Sequence, residues 1–472
     1  MAAPGRGAPR ALVWFRDDLR LDDNPALRGA LDAGFAPVPV YVHAPAEEGA
    51  WRPGAASDAW RHRSLAALGA ELERRGSRLH LLAGPSRRTL AAAAAAVGAH
   101  AVFWNRRWEP AARRRDAAVA RALARAGVQV AESNASLLFE PPALATQAGT
   151  PYRVFTPFWR AALAQWQLPE PWSAPRTLPP PGDAPPATLP LAALRLAPAR
   201  GWDAGFWSEW TPGEHAARAA LERFVGAAAV QYAQQRDRPD RHGTSRLSPH
   251  LHFGEIAPWR VARALDALPR GAADAYRRQL GWREFAHHVL HHFPHTAEAN
   301  FDARFDAFPW ADADAQVLDA WRRGETGVPL VDAGLRELRA TGWMHNRVRM
   351  VAASFLTKNL RLHWLHGARW FWDTLVDANL ADNTLGWQWV AGTGADAAPY
   401  VRVFNPTLQA RRYDPDGAYV ARWITPLRAL PPALRHEPWL DGRAAAAGYP
   451  RPLVDLAASR AAALAAFARF RR

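Results

Sequence analysis

The chain has 472 residues, 49% of them hydrophobic, with 59 Lys and Arg against 44 Asp and Glu, a formal net charge of +15, and no Cys. That length allows two or three domains with sizeable cores, and the lack of Cys removes disulfides, thiolate zinc sites and cysteine nucleophiles together. No window reaches the run of about 18 apolar residues that a membrane span needs, and the basic excess favours a polyanionic partner.

The opening MAAPGRGAPRALVWF lacks the apolar core of a secretory signal, so a cytoplasmic protein with no membrane partner is expected. ALVWF (11–15) reads as a strand, and RDDLRLDDNPAL as a charged turn entering a helix that runs to about Gly34. PVPVYVH, a helix over 57–76, RLHLLAG, an alanine-rich helix over 89–97, HAVFWN, a helix over 110–126 and VQVAESN follow. Strand-sized apolar runs alternating with helices predict a parallel sheet covered on both faces. No G-x-G-x-x-G follows the first strand, which argues against an ordinary dinucleotide-binding half.

Between 137 and 205 the alternation stops. Proline clusters at 141–142, 169–175, 179–181 and 185–186 predict a connector without continuous helix. From 206 onward apolar residues recur at three- and four-residue spacing, the helical period. The predicted organisation is α/β: a Rossmann-like parallel-sheet domain over 9–136, a linker over 137–205 and a larger all-helical domain over 206–472.

Four stretches carry candidate chemistry. In DANLADNTLGWQWVAGTGADAAPYVRVFNP (377–406), amides and carboxylates interrupt apolar residues, and a heteroaromatic ligand would satisfy such buried polar groups. In GTSRLSPHLHFGEI (243–256), Thr244, Ser245 and Ser248 precede a helix that they could cap, or whose start could hold a phosphate. Tyr232 and the basic run Arg236–Arg241 lie just upstream and suit a phosphate or a DNA backbone. In WREFAHHVLHHFPH, His287/His291 and His288/His292 are i, i+4 pairs, but no H-E-x-x-H occurs, and satisfied helix histidines are favoured over a metal. In TGWMHNRVRM, Asn346, Arg349 and Met350 fall on one helical face, with Arg347 about 100° away. Trp310, Trp364 and Trp387 lie in separate helical segments, where core packing is the default for each.

Together with LVWFRDDLRLDDNPAL, GTPYRVFTPFWRA (149–161), LGWREF and GETGVPLVDAGLREL, these motifs run in one order along almost the whole chain. The chain thereby resembles the photolyase/cryptochrome family, and most closely its class I cyclobutane pyrimidine dimer photolyases. The resemblance implies an antenna domain at the N-terminus and FAD held in the helical domain. It implies a monomeric enzyme acting on UV-damaged DNA, in which light-excited reduced flavin passes an electron to a pyrimidine dimer flipped from the stack. It further implies that Tyr232, Thr244, Ser245, Arg246, Leu247 and Ser248 hold the FAD phosphates and ribityl chain. Gln279, Arg283, Asn346, Arg349, Asp377, Asn379 and Asn383 would surround the cofactor, with Asn383 beside the flavin ring and Arg349–Asp377 an ion pair. Trp387, Trp364 and Trp310, in that order, match an electron path to the surface. Arg236, Trp282, Asn346, Arg347, Met350 and Trp389 match lesion or DNA contacts.

Three residues depart from the pattern. Gln279 stands where cyclobutane-dimer enzymes usually carry Glu and (6-4) photolyases carry Gln, and it weighs toward weakened repair. Asn379 stands where Asp is common, and Asp382 where Asn is common. The W-M-H-N-R form favours cyclobutane dimers over (6-4) products, and the short tail after 452 argues against a cryptochrome photoreceptor. NRRWEP (105–110), with Glu109, lies where relatives hold a second antenna chromophore, a folate or a deazaflavin, and the residues do not choose between them.

Overall fold

The computed structural model describes residues 7–471 except 181–183, 186, 441–444 and 446. Pro181 and Pro186 of the proline clusters therefore lie outside the described residues, as does the start of the opening segment. Five strands form a parallel sheet: β1 (Arg10–Phe15), β2 (Ala36–His43), β3 (His80–Ala83), β4 (Ala99–Asn105) and β5 (Gln129–Ser133), in the order β3-β2-β1-β4-β5. Trp14 pairs in register with Val40 on one side and Trp104 on the other. The order reverses between β1 and β4, so the carboxyl ends of these strands open a crevice there.

Alternation along each strand sends side chains to two faces. Leu12, Trp14, Val40, Val102 and Trp104 pack with Leu90 and Val119 of the helices Ser86–Val97 and Pro110–Arg125. Ala11, Val13, Phe15 and Phe103 pack with Leu65, Leu68 and Leu72 of the Ala55–Arg74 helix. Phe206, Trp210, Phe253, Trp343 and Val376, all from beyond residue 205, join that same core. The sheet thus shares an apolar core with the helical region rather than tethering to it. Polar contacts lock the junction: buried Arg20 donates to the carbonyls of Asp23, Ala135 and Gly254, and Trp60 Nε1 donates to Glu255 at 3.0 Å.

The connector is more ordered than its prolines predict. It contains the helix Phe155–Ala164, whose Phe155, Phe158, Trp159 and Ala162 are buried. They pack against Phe285 and Val289 of the long Arg270–His292 helix. The proline clusters flank this helix, and Pro157 sits in its first turn, where no intrahelical N–H bond is lost, so the local breaker signal and the apolar spacing do not conflict.

Beyond residue 205 the described chain is helical. A core built on Trp321, Leu335, Val348, Phe355, Trp364, Phe371 and Val390 holds the helices Pro329–Thr341, Asn346–Ser354, Trp364–Thr374 and Leu380–Ala391 together. No helix of the described residues is long and apolar enough to cross a membrane.

Candidate functional site

A cavity of about 530 Å³ lies between the Arg270–His292, Asn346–Ser354 and Leu380–Ala391 helices and the segment 244–248. A smaller space of about 150 Å³ adjoins it, sharing Asn346, Arg349, Asp377, Asn379 and Asp382 as common lining. Every residue expected at the cofactor lines one or the other. Tyr232, Thr244, Ser245, Arg246, Leu247, Ser248, Gln279, Arg283, Asn346, Arg349, Asp377 and Asn379 border the larger space, and Asn383 the smaller. Arg236, Trp282, Arg347, Met350 and Trp389 also border the larger one.

The segment 244–248 contributes hydroxyls to the lining. The helix after Leu247 covers only Ser248–His252, and neither Ser245 nor Thr244 caps it; the expectation of a serine or threonine N-cap is corrected. Ser245 Oγ accepts from Leu247 N at 3.3 Å and from the Tyr276 hydroxyl at 2.7 Å, which leaves its own proton free to turn into the cavity. Ser248 Oγ donates to Asp377 at 2.6 Å. Between them Arg246 takes φ 53°, a left-handed conformation that costs a non-glycine residue energy. Its guanidinium lies 4.2 Å from the Trp210 ring centroid and pairs with Glu209 at 3.2 Å. Arg246 thus braces the turn while bordering the cavity.

Arg349, which borders both spaces, bridges two partners. Its Nη2 meets Asp377 Oδ2 at 2.8 Å and its Nε donates to the Met344 carbonyl at 2.7 Å. Asp377 Oδ1 is buried and finds no protein donor. A buried carboxylate oxygen left without a partner is costly, and a polar ligand in the cavity would supply the missing donor. Five arginines and two carboxylates line the larger space, so its field favours an anion such as a pyrophosphate.

Asn379 Oδ1 accepts from Asp382 N at 3.1 Å and caps the Leu380–Ala391 helix. Asp382 is exposed to the cavity, and desolvation by the surrounding protein together with the Asp377 charge pushes its carboxyl up to about 7. Burial does the same to Glu284, also about 7, which accepts from Leu138 N and Phe139 N and pairs with Arg283 at 3.1 Å. Asn383 Nδ2 donates to the Ala368 carbonyl at 2.9 Å, so its amide is held in one orientation.

Trp282 stacks on Phe155, with ring centroids 3.9 Å apart and planes 6° off parallel. The connector helix therefore backs the Trp282 wall of the site without itself lining it. Gln279 makes only a long contact, 3.5 Å from Nε2 to the Ala275 carbonyl, and can turn toward an occupant. Arg347 pairs with Asp237 at 2.8 Å and lies over the Tyr413 ring at 4.5 Å.

Trp387 borders the smaller space, whereas Trp364 and Trp310 border neither. Trp364 is fully buried and donates to Asn300 at 3.0 Å. Trp387 fits against Gly367, where an added Cβ would lie 2.0 Å from its ring. Gly367 is three residues after Trp364 on one helix, so both indoles address the same helical face.

Tyr276, Trp343 and His252 also line the cavity and are not among the expected residues. Tyr276 had a legible signal: it precedes Gln279 and Arg283 by three and seven residues on one helix. The histidines of WREFAHHVLHHFPH bind backbone and side chains: His287 Nδ1 to the Arg283 carbonyl, His288 Nε2 from Tyr152 N, His292 Nε2 to the Pro141 carbonyl. No group of three metal-ligating side chains occurs among the described residues.

A separate cavity of about 390 Å³ opens between the sheet domain and the helices, with Glu109 in its lining. Glu109 pairs there with Arg107 at 3.3 Å.

Comparison with known proteins agrees with this architecture. Residues 11–180 match the family model described as DNA photolyase, and residues 276–469 match the FAD binding domain of DNA photolyase. The segment Thr244–Ser248 lies between the two matches. A deoxyribodipyrimidine photo-lyase of Agrobacterium fabrum is 44% identical over 97% of both chains. Cryptochrome-2 of Arabidopsis thaliana is 36% identical over 96% of this chain and 77% of its own length. The crystal structure of a class III photolyase from Agrobacterium tumefaciens superposes with a TM-score of 0.93 at 42% identity, covering 99% of this chain and 98% of that one. The sheet order, the FAD-binding domain and full-length similarity lead to one conclusion: this chain belongs to the DNA photolyase/cryptochrome family.

Proposed function

We propose that the protein is a light-driven DNA-repair lyase, a deoxyribodipyrimidine photo-lyase, that uses FAD in the 530 Å³ cavity to split cyclobutane pyrimidine dimers. The observation that carries the reading is the mixed lining of one cavity. Hydroxyls, arginines and the Arg349–Asp377 pair border the same space as Trp282, Met350, Gln279 and Trp389. Bound FAD supplies light absorption and one-electron donation. Ser245, Ser248 and Arg246 would meet its phosphate portion, Arg349, Asp377, Asn379 and Asn383 its ring, and Trp387 is the first indole beyond it. Trp282 and Trp389 would flank an extruded pyrimidine dimer, offering aromatic faces to bases that no longer stack. The positive lining and the net charge of +15 favour phosphate contacts.

Gln279 lines the cavity without a strong intramolecular bond. Its amide can donate N–H to a dimer carbonyl but has no proton to release, so Gln279→Glu is expected to raise the yield of repair per absorbed photon. The test is a light-dependent repair assay with reduced, FAD-loaded protein on two oligonucleotides, one with a cyclobutane thymine dimer and one with a (6-4) product. Restoration of the first alone supports the proposal. Restoration of the second alone would make this a (6-4) enzyme. The Gln279 side chain and the similarity to Cryptochrome-2 favour a second reading, a photoreceptor without repair. That reading takes over if neither oligonucleotide is restored while blue light still reduces the flavin.

The Glu109-lined cavity between the domains is the place we assign to an antenna chromophore. Its class, folate or deazaflavin, is an outcome of releasing and identifying the bound pigment.

A further inference from the structure

Trp364 and Trp310 come together through a third ring. His363 lies between them, its imidazole centroid 5.6 Å from Trp364 and 5.2 Å from Trp310. It meets the Trp310 ring edge-on, at 75°, and lies tilted 32° from Trp364. The Ala311 N–H bond to the Arg361 carbonyl, 2.9 Å, ties the two segments so that this contact is held by backbone. The imidazole orientation is fixed as well. His363 is the N-cap of the Trp364–Thr374 helix, and its Nδ1 accepts from Leu365 N at 3.3 Å. An accepting Nδ1 puts the proton on Nε2, giving one neutral tautomer. Burial and the neighbouring His366 hold the ring well below the ordinary imidazole range, at about 4, with Asp306 opposing. The ring beside these two indoles is therefore uncharged at neutral pH.

The surroundings of the indoles point the same way. Trp364 Nε1 is bound to Asn300 Oδ1, and the Asn300 amide in turn donates to Asp306 at 2.7 Å. An amide oxygen is too weak a base to take the indole proton, so oxidised Trp364 keeps its proton and can only be restored by an electron. Trp310 Nε1 is buried and has no partner, and its ring is half-buried.

We propose that the His363 imidazole provides the electronic contact between Trp364 and Trp310, and so sets the rate of the outward step of the electron path. This rests on reading Trp387, Trp364 and Trp310 as that path. In the step, Trp310 gives one electron to oxidised Trp364, which returns to its neutral form. An external thiolate then restores oxidised Trp310 with one electron, itself becoming a thiyl radical, and the buried Nε1 keeps its proton throughout. The imidazole gains and loses nothing; its filled ring replaces a gap through which electron coupling would decay. His363 is a positioning residue with two separable properties, a cap and a ring.

Two substitutions separate them. His363→Ser keeps a capping side chain and removes the ring, and His363→Phe keeps a ring and removes the cap. The readouts are thermal melting of the flavin-free protein and, in FAD-loaded protein, flash absorption of the oxidised tryptophans. His363→Ser is expected to melt like the parent and to slow the arrival of the oxidising equivalent at Trp310 several-fold. His363→Phe is expected to melt lower and to keep the arrival near the parent rate. Parent-like arrival in His363→Ser, or equal slowing in both variants, would overturn the proposal. Trp310→Phe is the control. If it leaves the flash signals unchanged, the electron path itself is wrong and the His363 proposal falls with it. If it removes the late signal while His363→Ser does not slow it, only the His363 proposal fails.

Discussion

His287 Nε2 accepts a hydrogen bond from the side-chain amide of Asn379, 3.3 Å away, across the junction of the Arg270–His292 and Leu380–Ala391 helices. The direction follows from the other ring nitrogen. Nδ1 faces the Arg283 carbonyl at 3.0 Å and must donate, so Nε2 is left as a lone pair that needs a donor. Asn379 meets that need while its oxygen caps the next helix. An ionised Asp there could cap but could not donate. The replacement of the residue type common in relatives is thus matched to His287.

Asn379→Asp should therefore place an acceptor against an acceptor in a buried position. A loss of about 1–3 kcal/mol is expected from the unsatisfied pair. Burial and Arg283 hold His287 at about 3, and an adjacent carboxylate would raise that value. The deficit should then shrink as pH falls and the imidazole becomes a donor. Denaturant melts at pH values on either side of neutrality check the sign.

Arg349 is the only side chain cation paired with Asp377 among the described residues. Arg349→Ala leaves a carboxylate with 4% side-chain exposure bonded only to Ser248. Removing one partner of a buried pair costs about 3 kcal/mol, and FAD retention should fall with it. Arg349→Lys should rescue little, because one ammonium cannot reach the Met344 carbonyl and Asp377 with a fork's geometry. FAD content after gel filtration is the measurement.

Phe155 backs Trp282 from the connector. Phe155→Leu preserves apolar volume but removes a stacked ring worth about 1 kcal/mol. Trp282 should then be less well held, and affinity for dimer-containing DNA should drop several-fold while FAD content is unchanged. Titration of a dimer oligonucleotide, compared with undamaged DNA at matched salt, tests this.

Asp382 makes stability depend on pH. Desolvation by the surrounding protein and the neighbouring Asp377 charge push its carboxyl from the ordinary 3.8 up to about 7, an effect that water in the cavity moderates because the side chain is exposed there. Between those values the folded state binds more protons than the unfolded one, so stability falls as pH rises through that window and levels off above it. Asp382→Asn removes this slope. The gap between variant and parent melting temperatures should widen across the window, with Asn the more stable on the alkaline side.

Much of the architecture was legible in the chain. Strand-sized apolar runs such as ALVWF and HAVFWN marked the sheet because strands of a parallel sheet are buried on both faces and read as nearly continuous apolar runs. The Asn346, Arg349, Met350 face was legible because helical spacing sets direction without tertiary knowledge. The helix Phe155–Ala164 was hidden by the proline clusters on either side and by Pro157, which is tolerated because it falls in the first turn. The ordered motifs that carry the family resemblance therefore indicated which side chains border the two spaces, including Gln279 at the larger and Asn383 at the smaller. Only the tertiary structure decided how they are used. Phe155 stacks on Trp282 from more than a hundred residues away, His287 dictates an amide at 379, and His363 lies between two tryptophans in different segments. Each is a contact across elements, where packing and hydrogen-bond direction act, and neither is written in local sequence.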